Sequence, residues 1–130
     1  MNTPHGAIGT FLLFVYGTLK RDGCRHGPLA RQRFRGAART RPLYALCHLG
    51  GYPGLVACPD AGAAVHGELY EVDSSLLPWL DDVEGAPMLF RLCPVEIEGV
   101  EQPAWAYFYQ GDPAAHSRIA SGTWDNGGRP

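Results

Sequence analysis

One glutamate of the sequence lies where an apolar side chain is expected. The segment from Ser75 to Glu84 predicts a helix, and its apolar face consists of Leu76, Leu77, Leu80 and Val83. At about 100° of rotation per residue, Glu84 falls within that face, whereas Asp81 borders it and Asp82 lies well outside it. Burial of an ionised carboxylate is costly unless partners or water compensate, so a chain normally avoids this arrangement.

The position of Glu84 suits acid–base chemistry. Gly85 and Pro87 end the predicted helix directly after it, so the carboxylate would lie beside a turn and could form the wall of a pocket. Partial desolvation raises the pKa of a carboxyl group toward the neutral range in which a general base works. The pattern leaves two other interpretations open, which are a frayed last turn with Glu84 in solvent and an ion pair between Glu84 and Arg91.

A second candidate site follows the first predicted strand. It consists of Tyr16, Gly17, Thr18 and Leu19, which are followed by two cationic residues. Glycine permits dihedral angles that turn successive backbone N–H groups the same way, and such a nest binds anionic oxygen atoms. Small ligands also tend to bind at loops that follow strands. An ordinary turn is the alternative interpretation of this loop.

The elements that would position these residues are mostly strands. The 17 glycines and 11 prolines favour strands and turns over a helical bundle. Phe11–Tyr16 is a continuous apolar run, which is typical of a strand that is buried on both faces near the centre of a sheet. Further strands are predicted at Phe34–Leu49 with a break at Pro42, at Leu55–Ala57, at Val65–Val72, at Phe90–Glu98 and at Ala104–Tyr109, with a short helix at Pro28–Arg33.

These segments predict an α+β fold, in which a small mixed, curled β-sheet or open barrel of about five to six strands packs against one main helix. Ser75 is the predicted N-cap of that helix. Gly67 has no side chain within a predicted strand, which permits close approach by another group. The 130 residues suit a single domain, and we expect residues 1–10 and 125–130 to be loose termini.

The charge is unevenly distributed, although the formal net charge is only −2. Eight of the 11 basic residues lie between Lys20 and Arg41, whereas all but one of the 13 acidic residues lie from Asp60 onward. Such asymmetry occurs in nucleic-acid-binding surfaces. It also fits basic side chains that meet the acidic ones in the folded protein, and for this reason no nucleic-acid partner is predicted.

The cysteines indicate neither a metal site nor a redox motif. Cys24, Cys47, Cys58 and Cys93 lack CxxC spacing, and no metal or organic cofactor is predicted. Phe11–Val15 is too short for the apolar core of a signal peptide. No window approaches the roughly 20 apolar residues of a membrane span. We therefore expect a cytoplasmic protein without membrane contact.

Six short segments match the pattern of a known family in the same order. They are Phe14–Arg21, Tyr52-Pro53, Gly67–Val72, Leu80–Gly85, Phe90-Arg91 and Ser121–Trp124. Together they resemble the gamma-glutamylcyclotransferase-like superfamily, and in particular its AIG2-like and gamma-glutamylamine cyclotransferase branch. The resemblance extends from Phe11 to Trp124, and Leu80–Gly85 is similar to the segment that carries the family's catalytic glutamate.

The resemblance implies a small mixed β-barrel with a pocket between the loop at Tyr16–Leu19 and Glu84. It implies that backbone N–H groups of this loop bind carboxylate oxygens of a small gamma-glutamyl substrate, and that Glu84 accepts and donates protons. The implied reaction is an intramolecular acyl transfer that releases 5-oxoproline and an amine without a cofactor. Tyr52, Phe90 and Tyr107 are candidates for the pocket wall, although each could equally be a core residue.

Two departures from the family's pattern concern the substrate rather than the acid–base residue. Relatives often carry Asn-His where this chain has Arg25-His26, and bacterial relatives commonly carry Gly-Asp-Trp where it has Gly122-Thr123-Trp124. Two other functions remain open at this point. The same chemistry could remove a gamma-glutamyl protecting group from a biosynthetic intermediate, or the barrel could be a non-catalytic module that binds an acidic metabolite or RNA. A monomer or weak homodimer is expected.

Overall fold

A computed structural model describes residues 4–5 and 8–126 of the chain. Within this part the regular structure comprises eight strands and one α-helix. The strands are β1 Thr10–Val15, β2 Arg33–Arg39, β3 Tyr44–His48, β4 Pro53–Ala57, β5 His66–Asp73, β6 Phe90–Val95, β7 Ala104–Tyr109 and β8 Ser117–Arg118. The helix α1 spans Leu77–Glu84, and short 3-10 turns lie at Gly27–Arg31, Ser74–Leu76 and Pro113–Ala115.

All eight described strands belong to one mixed sheet. The strand order is β2-β5-β1-β7-β4-β3-β8, and β6 pairs with β7 outside this path. The central strand β1 pairs antiparallel with β5 and parallel with β7. The predicted α+β class, with a curled sheet and one main helix, is confirmed, but the sheet has more strands than predicted. The two residues of β8 are too few to form a recognisable apolar pattern.

The strand β1 is buried on both faces, as its continuous apolar run predicts. Alternate side chains of a strand point to opposite faces of a sheet. Residues 11, 13 and 15 therefore join a core with Leu77 and Leu80 of α1, whereas residues 12, 14 and 16 join a second core with Leu46 and Leu55 of β3 and β4. Because both faces are packed, the end of β1 is held firmly where the next loop begins.

One edge of β7 is shared by two strands, and this creates the opening for the loop after β1. The strand β1 pairs with the first two residues of β7, whereas β4 pairs with Phe108 further along. Tyr16 bridges the gap between them. Its hydroxyl donates to the carbonyl of Tyr107 at 2.6 Å and accepts from the amide of Leu55 at 3.2 Å. The hydroxyl of Tyr16 therefore links β7 to β4.

The helix α1 begins later than predicted. The carboxylate of Asp73 accepts from the amide of Ser75, and the 3-10 turn at Ser74–Leu76 leads into α1. The prediction that Ser75 is the N-cap is wrong, because this tighter turn moves the first α-helical residue to Leu77. The helix ends as predicted at Gly85, whose φ of 64° is left-handed and costs glycine no steric strain.

Basic residues of the first half meet acidic residues of the second half. Ion pairs join Arg21 to Glu68, Arg35 to Glu71, Arg39 to Glu98 and Arg41 to Glu96. The interpretation that charges of opposite sign meet in the folded protein is therefore confirmed for these pairs. Each of the four basic residues belongs to β2 or to a loop beside the sheet.

The predicted loose termini fall partly outside the described residues, since residues 1–3, 6–7 and 127–130 are not among them. Of the remainder, Thr10 is the first residue of β1. The side-chain amide of Asn126 donates to the carbonyl of Gly17 at 2.8 Å, which ties this position to the loop after β1. No helix in the described part is long and apolar enough to cross a membrane.

Candidate active site

A cavity of about 200 Å³ opens between the loop after β1 and the end of α1. Its lining includes every residue that the sequence singled out for the site, namely Tyr16, Gly17, Thr18, Leu19, Tyr52, Glu84, Phe90 and Tyr107. These residues come from two loops, from α1 and from the strands β6 and β7. The fold thus brings the two candidate segments to one place. Their roles in binding and catalysis stay predictions.

Glu84 is the last residue of α1, and its side chain is partly buried in the cavity wall. No residue of the described part forms a hydrogen bond or ion pair with its carboxylate. Burial raises the pKa of Glu84 from 4.5 to about 7, and the nearby cation of Arg25 opposes the rise. Arg91 borders a different cleft. The two alternatives, a solvated side chain and an ion pair with Arg91, are therefore wrong.

The loop after β1 directs two carbonyl groups toward protein donors. The carbonyl of Gly17 accepts from Asn126 at 2.8 Å, and that of Thr18 accepts from the amide of Arg25 at 2.9 Å. The peptide bonds here are trans, so each following N–H points opposite to the carbonyl. The amides of Thr18 and Leu19 thus point away from these partners and donate to no acceptor among the described residues. Amides in this arrangement can bind an anionic group.

Two glycines allow the chain to pass closely at this place. A Cβ atom on Gly17 would lie 2.8 Å from the Pro53 side chain, and one on Gly67 would collide with the carbonyl of Val15. The expectation that Gly67 permits close approach is confirmed. Because both glycines lie beside the end of β1, a side chain at either position would displace the loop that lines the cavity.

Residues 119–126, here called the C-terminal strap, hold the loop from outside. Lys20 is a buried residue, and its ammonium group donates to the carbonyl of Trp124 at 2.7 Å. The indole N–H of Trp124 donates in turn to Asn126 at 3.1 Å. No strap residue is in the cavity lining, so the departure at Gly122–Trp124 acts on the cavity only through the position of the loop.

The aromatic candidates Tyr52, Phe90 and Tyr107 line the cavity and also pack in the hydrophobic core. Phe90 and Tyr107 are buried, Tyr52 is partly buried, and all three belong to the core that covers α1. The rings of Tyr52 and Phe90 lie 6.1 Å apart at a tilt, which is a favourable geometry for aromatic pairs. Each of the three residues is therefore both part of the cavity wall and part of the core.

Tyr107 is positioned by an acid that the sequence did not identify as functional. Its hydroxyl donates to one oxygen of Asp81 at 2.6 Å, and the other oxygen of Asp81 lies 2.6 Å from Nε2 of His5. Burial, this hydrogen bond and the charges of Asp81 and Glu84 raise the pKa of Tyr107, so it stays protonated at the cavity wall. His5 and Tyr107 lie 76 and 26 residues from Asp81, and no local pattern reports such contacts.

Arg25 also lines the cavity, a position that the sequence pattern did not predict. Its guanidinium Nη1 donates to the carbonyl of Val83 at 3.1 Å, which brings the cation to the end of α1. A signal was present, because this arginine stands where relatives often carry asparagine. The spacing along the chain gave no means of locating it beside Glu84.

The donor set of the cavity suits an anionic organic molecule. It offers backbone amides, the guanidinium of Arg25 and the carboxylates of Asp82 and Glu84 between aromatic walls. Within the described part, no group of three or more His, Cys, Asp or Glu residues is arranged to hold a metal ion. The cavity is thus suited to a compact ligand with a carboxylate at one end.

Comparison with known proteins identifies the family. The sequence model of the family described as gamma-glutamyl cyclotransferase, AIG2-like, matches residues 13–126. A Vibrio cholerae protein is 41% identical over 116 residues, which cover 87% of this chain and 94% of that protein. The gamma-glutamylaminecyclotransferase of Bos taurus is 38% identical over 106 residues, which cover 75% of this chain and 63% of the bovine protein.

A solved structure shows the same architecture. The crystal structure of an AIG2-like protein from Mus musculus superposes with a TM-score of 0.71 at 29% identity, and the match covers 82% of each chain. The chain thus spans less than two thirds of the bovine relative but most of the mouse structure. Sequence and fold agree, and this chain belongs to the gamma-glutamyl cyclotransferase, AIG2-like, family.

Proposed function

We propose that this protein is a gamma-glutamyl cyclotransferase, which converts a gamma-glutamyl conjugate of an amine into 5-oxoproline and the free amine. The observation that carries the proposal is the carboxylate of Glu84, which is desolvated, has no partner in the described part, and shares one cavity with the amides of Thr18 and Leu19. Family membership and the activity named for the bovine relative support the same reaction.

In the proposed reaction the α-amine of the substrate attacks its own γ-carbonyl carbon. A carbon–nitrogen bond forms and closes the five-membered ring, and the bond between the γ-carbon and the leaving nitrogen breaks. Glu84 accepts the proton of the attacking amine and delivers a proton to the leaving nitrogen, so neither water nor a protein nucleophile is consumed. A pKa of about 7 favours both transfers, because the acceptor and donor forms of Glu84 are both populated near neutral pH.

The cavity supplies orientation for this reaction. The amides of Thr18 and Leu19 bind the α-carboxylate of the substrate, in the manner of a backbone nest. The aromatic walls confine the chain between this carboxylate and the γ-carbonyl, so that amine and carbonyl approach each other. Holding two reacting groups together in this way lowers the barrier, because the entropy of bringing them together is lost on binding.

The experiment that tests the proposal is an assay of 5-oxoproline release from gamma-glutamyl amines, gamma-glutamyl dipeptides and glutathione. We expect Glu84→Gln to lower the rate by about 10²- to 10⁴-fold, since glutamine cannot exchange the proton. Glu101→Gln is the matched control, because Glu101 is exposed and lies away from the cavity lining. Circular dichroism should show the same fold for both variants. Full activity of Glu84→Gln removes this residue from the mechanism, and no release of 5-oxoproline by the wild type overturns the proposal.

The cytoplasmic location, the absence of a nucleic-acid partner and a monomeric or weakly dimeric state remain parts of the proposal. The ion pairs of Arg35 and Arg39 engage two basic residues of β2, and Arg41, which lies beyond the end of that strand, pairs with Glu96. RNA binding that weakens steeply with salt, without turnover of any gamma-glutamyl compound, would favour the binding-module alternative instead.

A further inference from the structure

A groove beside the cavity meets it at two shared residues. The groove is lined by Cys24, Arg25, Gly27, Pro28, Trp79 and Val83. Of these, Arg25 and Val83 also line the cavity. Since Glu84 directly follows Val83, the shared wall lies next to the proposed reacting position. The groove therefore adjoins the cavity across Arg25 and Val83.

Arg25 is held at this junction by contacts on both sides. Its amide donates to the carbonyl of Thr18 at 2.9 Å, and the neighbouring His26 donates through Nδ1 to the carbonyl of Leu19 at 2.9 Å. Its guanidinium donates through Nη1 to the carbonyl of Val83 at 3.1 Å. No acidic residue of the described part forms an ion pair with it. The remaining N–H groups of the guanidinium are thus available to an anionic ligand.

Trp79 provides an apolar surface beside this cation. It lies on the outer side of α1, and 42% of its surface is exposed. An exposed indole offers a large flat apolar face against which an apolar or aromatic group can pack. The exposed cation of Arg25, which shares the groove with an exposed indole, matches a molecule that carries a carboxylate and an apolar body.

We infer that the groove binds the leaving group of the substrate, with a carboxylate of the leaving amine on Arg25 and an apolar body on Trp79. The inference rests on the proposed function. A substrate whose α-carboxylate lies on the loop after β1 and whose amide lies beside Glu84 has its leaving group close to the wall that the cavity shares with the groove. The preferred substrates are then gamma-glutamyl conjugates of apolar amino acids rather than of simple amines.

The test uses two substrates that differ only in the carboxylate of the leaving amine, gamma-glutamylphenylalanine and gamma-glutamylphenethylamine. We expect the wild type to favour the first by about tenfold or more in kcat/KM for 5-oxoproline release. Arg25→Gln should lower this ratio by about tenfold, mainly through KM. Because both substrates use the same Glu84, any effect of the lost cation on that residue cancels in the ratio.

Three further variants separate the effects of charge, geometry and apolar contact from general damage. Arg35→Gln is the matched control and should leave the ratio unchanged, since Arg35 pairs with Glu71 away from the groove. Arg25→Lys keeps the charge without the planar fork and should lower the ratio less than Arg25→Gln. Trp79→Ala should lower kcat/KM by about two- to tenfold for both aromatic substrates, relative to gamma-glutamylglycine.

The outcomes distinguish this inference from the proposed function. A wild-type ratio near one, or a ratio that Arg25→Gln leaves unchanged, overturns the assignment of the groove while the release of 5-oxoproline sustains the cyclotransferase. Failure of the wild type to release 5-oxoproline from every compound overturns both. A ratio that falls in the Arg25 variants and persists in Arg35→Gln establishes the groove as the leaving-group site.

Discussion

Asp81 and Glu84 lie about one turn apart on α1 and carry the same chemical group, yet the fold surrounds them differently. Asp81 receives contacts from Tyr107 and His5, both at 2.6 Å. The carboxylate of Glu84 has no such partner within residues 4–5 and 8–126 and faces the cavity. At Glu84 the nearby cation of Arg25 offsets only part of the cost of desolvation, and burial raises the pKa to about 7.

The difference shows that a place on a helix does not by itself decide what an acid does. Hydrogen-bond donors on β7 and near the N-terminus make Asp81 a link between elements. The carboxylate of Glu84 accepts no hydrogen bond within the described residues, and its pKa of about 7 suits the proposed role in proton transfer near neutral pH. A desolvated carboxylate such as that of Glu84 lowers the stability of the folded state, and this loss of stability can be measured.

The largest expected effect on stability concerns Glu84→Gln. The pKa of Glu84 is 4.5 as a free side chain and about 7 in the fold. The folded state therefore binds more protons than the unfolded state between these values, so the free energy of unfolding falls as the pH rises through this window. We expect Glu84→Gln to stabilise the protein by up to about 3 kcal/mol at pH 8 and to have little effect near pH 4.5.

Urea unfolding of the wild type and Glu84→Gln across this pH range provides the measurement. Glu101→Gln is again the control, because Glu101 is exposed. If the free energies of unfolding of the wild type and Glu84→Gln differ by the same amount at pH 5 and pH 8, desolvation of the Glu84 charge is not the source of the difference.

A smaller effect is expected from the link formed by Asp81. Asp81→Ala leaves the buried hydroxyl of Tyr107 without its acceptor, and we expect a loss of about 1–3 kcal/mol in the free energy of unfolding. Tyr107→Phe removes the hydroxyl itself. The double variant should lose less than the sum of the two single losses, because the unpaired group is then absent.

Chemical denaturation of the two single variants and the double variant measures this coupling. His5→Ala sharpens the result, since its contact with Asp81 is largely exposed and should contribute about 1 kcal/mol or less. Strictly additive losses would contradict the view that Asp81 acts as a partner of Tyr107.

Features that depend on local periodicity could be predicted from the sequence. The inward position of Glu84 follows from the spacing of apolar residues in α1, and the burial of β1 follows from its unbroken apolar run. The start of the helix could not be predicted so well. Asp73 and Ser75 are both good caps, and only the 3-10 turn between strand and helix decides between them.

Features that depend on strand order could not be predicted from pattern. Arg25 lies 58 residues from Val83, and Asn126 lies 109 residues from Gly17, yet each pair is joined by a hydrogen bond. These contacts exist because β1 lies between β5 and β7 and because the C-terminal strap returns over the loop. The family resemblance indicated that loop and glutamate share a pocket, but it did not indicate which residues support them.

The measurement that tests the central claim most directly is a carbon-13 NMR titration of the glutamate side-chain carboxyl groups. The resonance of Glu84 is identified by its absence from the spectrum of Glu84→Gln. We predict that it titrates with a pKa of about 7, since its carboxylate is desolvated beside the cavity. A midpoint near the ordinary value of 4.5 would contradict this claim, because it would show a solvated or paired carboxylate.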